Sequence, residues 1–147
     1  MTTTARYVRP QRFDVLVNRF VGWLARRGIG LAGARILAVP GRTSGAWRTT
    51  VLNPMELDGE RFLVAPRGET QWVRNLRVAG GGELRLGRRT EAFRAVEVDD
   101  GDKAPVLRAY LDRWGWEVGR FFEDLTPDSD DEALARVAPG IPVFRLT

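Results

Sequence analysis

The sequence predicts a mainly β protein of the α+β kind, with about six antiparallel strands curled into a small barrel and helices packed outside it. Three observations predict this. Short extended runs follow one another with turn residues between them, Asp58-Gly59 stands between two such runs, and a helical segment separates the third strand from the fourth. Strands joined mostly by hairpins pair with their chain neighbours, which favours a closed antiparallel sheet over a layered parallel one.

The elements follow in chain order. The first nine residues, with Thr2, Thr3 and Thr4, read as a loose terminus. From Pro10 to about Arg27, the positions Phe13, Leu16, Val17, Phe20, Val21 and Leu24 share one face of an amphipathic helix, which Gly28, Gly30 and Gly33 stop. This 1–28 region suits packing on the core. Its flanking arginines also suit an anionic lipid surface, so peripheral membrane contact is a second expectation. Extended runs then cover Arg35 to Pro40, Arg48 to Glu56 and Arg61 to Ala65. Thr70 to Ala79 carries helical spacing at Trp72, Asn75, Leu76 and Ala79, and Gly80-Gly81-Gly82 ends it. A second hairpin joins Glu83–Leu86 to Glu91–Val98 through Gly87-Arg88-Arg89. Helical pattern resumes from Asp102, a candidate N-cap, to Trp114 or as far as Phe122. A short helix ends near Val137, and Ile141–Leu146 forms the last strand. No repeat, linker or boundary divides residues 1–147, so a single domain is expected.

Composition removes most familiar chemistry. There is no Cys and no His, which excludes disulfides, thiolate nucleophiles, Ser-His couples and soft-metal sites of the usual kind. No metal site is expected. Carboxylate chemistry remains open, as does a reaction in which a bound cofactor carries the reactive atom. The net charge of +4 conceals an uneven distribution. Residues 1–48 hold nine Arg against the single acid Asp14, whereas residues 95–147 hold six bases against twelve acids. A basic front half suits a polyanionic ligand, an anionic membrane or nucleic acid. The chain lacks a recognition helix or paired stacking strands of a known type, so nucleic acid is not expected as a partner. Every apolar stretch is broken by Arg, Gly or Pro, so a cytoplasmic protein is expected.

Two segments carry candidate chemistry. Gly41-Arg-Thr-Ser-Gly-Ala-Trp-Arg48 sits between two expected strands and runs on into Thr49-Thr50. Its glycines permit a tight turn with exposed amides, while Thr43, Ser44 and Thr49 add hydroxyls and Arg42 and Arg48 add forked cations, the donor chemistry of a phosphate cradle. It is neither a Walker loop nor a dinucleotide fingerprint. A plain hairpin turn remains the alternative. The second segment, Arg67-Gly68-Glu69-Thr70-Gln71-Trp72-Val73-Arg74-Asn75-Leu76, places Trp72 and Asn75 on one helical face, where they serve either the core or a planar ligand.

The order Gly41-Arg-x-Ser-Gly-x-x-Arg48, Phe62-Leu-Val-Ala65, Trp72-x-x-Asn-Leu76 and Ile141-Pro-Val-Phe144 resembles the deazaflavin-dependent nitroreductase family over roughly residues 15 to 147. The resemblance implies a split β-barrel, related to flavin reductases of the pyridoxamine-oxidase type, that uses coenzyme F420, an 8-hydroxy-5-deazaflavin; FMN is the less favoured cofactor. It implies an oxidoreductase that moves hydride from the reduced coenzyme to a small-molecule electron acceptor such as a quinone, an activated alkene or a nitroaromatic. It further implies that Arg42, Thr43, Ser44, Gly45, Arg48 and Thr49 hold the phosphate side of the cofactor. Ala65, Pro66, Arg67, Gly68, Trp72, Val73, Arg74 and Asn75 would line the rest of the pocket. No catalytic side chain is assigned. A homodimer accords with barrels of this type. The alternative is a non-catalytic protein of the same fold that binds F420, flavin, haem or a fatty acyl ligand.

Overall fold

Seven strands, all antiparallel, form one continuous sheet in the order β2-β1-β5-β6-β7-β4-β3. The computed structural model describes residues 34–118 and 128–147, with side chains described except at 114–118. The expected 1–28 helix and the aromatic residues Trp114, Trp116, Phe121 and Phe122 therefore lie outside the described residues or side chains. The strands are β1 (Arg35–Pro40), β2 (Trp47–Leu52), β3 (Met55–Leu57), β4 (Glu60–Val64), β5 (Gly81–Leu86), β6 (Arg89–Glu97) and β7 (Val143–Leu146). Among the described residues the helices are α1 (Gln71–Ala79), α2 (Ala104–Val118) and α3 (Asp131–Val137).

The count of seven, against about six expected, comes from one break. The run from Arg48 to Glu56 splits at Asn53-Pro54, because proline has no N–H to donate to a ladder and restricts the residue before it. The split sets the shape of the molecule. β2 and β3 lie at opposite edges of the sheet, yet only two residues join them. Leu52 and Met55 can stand no more than about 11 Å apart across three peptide units. The sheet must therefore curl until its two edges approach, which gives a split half-barrel with Asn53-Pro54 across the seam. β6 makes the bend, since Arg89 to Arg94 pair with β5 while Ala95 to Glu97 pair with β7.

Gly80-Gly81-Gly82 does more than end a helix. Gly80, at φ +72, closes α1 in the left-handed conformation and donates to the Leu76 carbonyl. Gly81 and Gly82 then open β5, where neighbouring backbone comes close: a Cβ on Gly82 would lie 2.5 Å from the Ala38 carbonyl oxygen. Asp58 and Gly59 both have positive φ and form the expected hairpin turn between β3 and β4. Asp102 does not cap α2. It belongs to a single 3₁₀ turn, Asp100–Asp102, and α2 begins after Lys103. Asp130 does cap α3, its carboxylate accepting from Ala133 N–H at 2.8 Å.

Two apolar clusters lie on the two faces of the sheet. Inside the curl, Leu37, Val39, Leu63, Leu84, Phe93, Phe144 and Leu146 meet Val73 and Leu76 of α1. On the outer face of β4 and β7, Phe62, Val64 and Val143 meet Val106, Leu107, Tyr110 and Leu111 of α2 and Leu134 of α3. Lys103, the chain's one lysine, is buried at the edge of this outer layer, donating to the Ala138 carbonyl at 2.9 Å and pairing with Asp100 at 2.8 Å. Between β4 and β6, Arg61 donates through both guanidinium arms to Glu91, which holds that carboxyl below its ordinary range.

Candidate functional site

The turn between β1 and β2 folds on itself. Gly41 N–H donates to the Ala46 carbonyl at 2.8 Å, Gly45 N–H to the Gly41 carbonyl at 2.9 Å, and Ala46 N–H to Ser44 Oγ at 3.2 Å. Gly45 adopts φ +74, which glycine takes without a Cβ clash. Arg42 N–H donates to Asn75 Oδ1 at 3.1 Å. Four amides of the turn are thus already partnered, so its glycines shape the turn and do not expose a row of free N–H groups. What it retains for a ligand is the amides of Thr43 and Ser44, the hydroxyls, and the arginines. Thr43, Ser44, Gly45, Arg48 and Thr49 are all exposed.

The turn is locked to α1. Arg42 Nη1 donates to Gln71 Oε1 at 2.9 Å and to Asn75 Oδ1 at 2.8 Å. Gln71 and Asn75 stand four residues apart, so they share a helix face, and Asn75 is 4% exposed. Asn75 therefore holds the turn through two donors from one residue. The guanidiniums of Arg48 and Arg74 meet no acceptor among the described residues.

The segment entering α1 is the other wall. Ala65 N–H donates to the Pro142 carbonyl, Gly68 N–H to the Ala65 carbonyl and Thr70 N–H to the Gly68 carbonyl, at 2.9, 3.0 and 2.9 Å. Ala65 and Gly68 are buried, Pro66 and Arg67 half-buried. Thr70 occupies the N-cap of α1 with extended backbone, but its side chain makes no capping bond, and among the described residues its buried Oγ1 has no partner. No acidic residue lies in the first turn of α1. The positive end of the helix dipole thus meets no carboxylate from its own first turn, beside a hydroxyl that has no partner among the described residues. Val73 is fully buried in the inner cluster, while half-buried Trp72 sets its ring 6.0 Å from that of Phe144.

The predicted residues therefore gather into two groups joined by Arg42 and α1: the exposed basic turn, and the segment from Ala65 to Asn75. Sequence reading passed over Gln71, although its spacing from Asn75 was the available signal. It also passed over Arg77, which donates to Glu97 at 2.8 and 2.7 Å and to Glu69 at 2.8 Å. Those carboxylates, Glu97 foremost, push the Arg77 pKa still further up. This donor set fits a cofactor with an anionic arm and a planar head: among the described residues it offers the Arg48 and Arg74 guanidiniums without acceptors, the exposed hydroxyls of the turn, a helix start with no acid in its first turn, and the buried Thr70 hydroxyl without a partner.

Solved structures share the architecture. An F420-H2 dependent reductase, FDR-A, superposes with a TM-score of 0.56 at 16% identity, covering 78% of this chain and 94% of that one. A domain-swapped dimer gives 0.58 at 15%, covering 93% and 100%. A protein of unknown function from Agrobacterium tumefaciens gives 0.57 at 19%, covering 97% of this chain and 58% of its own. At these identities the likeness establishes the split-barrel fold. No curated protein matches the sequence. The model of the F420H(2)-dependent quinone reductase family matches residues 12–115, a stretch that holds the basic turn, the seam and all of α1, and the chain belongs to that family of F420-dependent oxidoreductases.

Proposed function

We propose that this reductase passes reducing equivalents to an electron-poor organic acceptor of the quinone type, with activated alkenes and nitroaromatics in the same chemical class. We further propose that Arg42, Thr43, Ser44, Gly45, Arg48 and Thr49 hold the phosphate side of coenzyme F420. Ala65, Pro66, Arg67, Gly68, Trp72, Val73, Arg74 and Asn75 form the rest of the pocket. The observation that carries this reading is the lock between Arg42 and the Gln71–Asn75 face of α1, which sets the exposed arginine turn beside the helix that the 65–70 segment enters.

Bound in its reduced form, the coenzyme supplies a hydride equivalent, so the protein needs neither metal nor nucleophile. The chain's residues bind and orient. Arg48 and Arg74 offer forked, charge-assisted bonds to an anion. Arg42 is already fixed by α1, so less freedom is lost when its remaining donors engage a ligand. Thr70 Oγ1, buried with no partner among the described residues, would gain one from a bound ligand. Half-buried Trp72, packed on the inner cluster that holds Ala65 and Val73, supplies an apolar face that excludes water.

Titration of the purified protein with oxidised F420, followed by the coenzyme's fluorescence, tests binding. Absorbance change with reduced F420 and a quinone, an activated alkene or a nitroaromatic tests turnover. Binding at micromolar concentration is expected, and its absence overturns the site assignment. Turnover of none of the three acceptor types overturns the substrate class. Because one structural neighbour is a domain-swapped dimer, the proposal extends to a homodimer, which gel filtration with light scattering checks.

A further inference from the structure

The 65–70 segment is held by a side chain far along the helix it precedes. Arg77 lies in the last turn of α1, where a cation is favoured by the helix dipole. Its guanidinium grips both Glu97 oxygens, at the end of β6, with Nε and Nη2 at 2.8 and 2.7 Å. The third arm, Nη1, reaches back eight residues to Glu69 Oε1 at 2.8 Å. Glu69 stands between Gly68 and the N-cap Thr70. One planar side chain thus ties three pieces together: a strand of the barrel, the helix, and the segment leading into it. Lysine could not reproduce this, because only the guanidinium offers a bidentate fork to one carboxylate and a separate donor to another. The Glu97 arm anchors the fork to the sheet, and the Glu69 arm turns that anchor into a constraint on the segment.

We propose that Arg77 is a positioning residue of the reductase: through Glu69 it fixes the 65–70 segment against the start of α1, and so controls cofactor affinity without touching the cofactor. The link to affinity rests on the pocket assignment made above; the constraint on the segment does not.

Two measurements separate them. In the first, amide hydrogen exchange is followed on the ligand-free protein. Glu69→Gln and Arg77→Met should each raise exchange at Gly68, Glu69 and Thr70 by about fivefold, as expected for loss of roughly 1 kcal/mol from a partly exposed ion pair, with core amides of β4 and β7 unchanged. Arg77→Lys should restore little of the protection. Unchanged exchange at 68–70 in both variants overturns the positioning role, whatever the protein binds. In the second, F420 affinity is measured by fluorescence. Glu69→Gln should raise Kd about fivefold, and adding it to Arg77→Met should cause no further loss, because the two act through one contact. Faster exchange with an unchanged Kd overturns the control of affinity while leaving the constraint. Faster exchange in a protein whose wild type binds no F420 overturns the pocket assignment instead.

Discussion

β4 and β7 differ from β2 in nearly every respect that burial can record. Phe62, Leu63 and Val64 of β4 are all buried, and so are Val143, Phe144 and Leu146 of β7, because one face meets the inner cluster and the other meets α2 and α3. Along β2, Trp47, Arg48 and Thr49 are exposed and Thr50, Val51 and Leu52 half-buried. Trp47, 52% exposed, carries the guanidinium of Arg85 over its ring at 5.1 Å. The same sheet thus contains a part whose sequence is dictated by packing and a part whose sequence is available for chemistry. Stability and ligand recognition should respond to different substitutions, and Asn75, buried yet bonded to the turn, should respond to both.

The largest effect is expected in the packed half. Phe144→Ala removes a ring that is 2% exposed in the inner cluster, and should cost about 3–5 kcal/mol in a urea unfolding curve. A loss below about 1 kcal/mol there would erase the contrast drawn between the two regions. Next comes Arg48→Ala, which should leave the unfolding midpoint alone while weakening F420 binding by about 1.5–3 kcal/mol through loss of a charge-assisted bond. An unchanged affinity removes Arg48 from the site. Asn75→Ala should register in both assays, since it strands the Arg42 N–H and leaves the guanidinium held by Gln71 alone, at about 1–3 kcal/mol of stability together with weaker binding. If only one assay moves, Asn75 belongs to one region alone. The smallest effect concerns pH. The Glu91 carboxyl titrates below its ordinary value because Arg61 hydrogen-bonds the charged form. Its stabilisation is therefore present above pH of about 4.5 and lost as pH falls through the lowered value. This pair is partly exposed, so the effect should stay under about 1 kcal/mol. Glu91→Gln should flatten that part of the acid limb, and an unaltered limb would show that the pair contributes nothing.

Much of the contrast could be read from the residues. Asp58-Gly59 announced its hairpin because only such residues accept positive φ in succession. The helix at 70–79 was legible from the spacing of Trp72, Asn75, Leu76 and Ala79, and so was the last strand, expected over Ile141–Leu146 and formed by Val143–Leu146. What could not be read has a common cause. Arg42 meets Asn75 33 positions away, and Arg77 meets Glu97 across 20, so neither pairing leaves a local trace. Gly81 and Gly82 looked like a helix terminator because their need for glycine comes from the backbone of β6 and β1, which only the assembled sheet brings near. The break at Asn53-Pro54 was visible as a proline. Its consequence was not, because a switch from one sheet edge to the other depends on where every other strand goes.

The place of β7 has a consequence for the order of folding. It is the last strand in chain order, yet it is the strand that joins β4 and β3 to β6. Until residues 143–146 have left the ribosome, β1, β2, β5 and β6 can assemble as one sheet and β3–β4 as a separate hairpin. The two are then linked by the Asn53-Pro54 tether but not by hydrogen bonds between strands. Two unpaired edges, one on β6 and one on β4, stay open from the time each strand is made until β7 emerges, which is the period when such edges recruit the wrong partner. The final pairing also spans a long stretch of chain, so it should be the slow step of refolding.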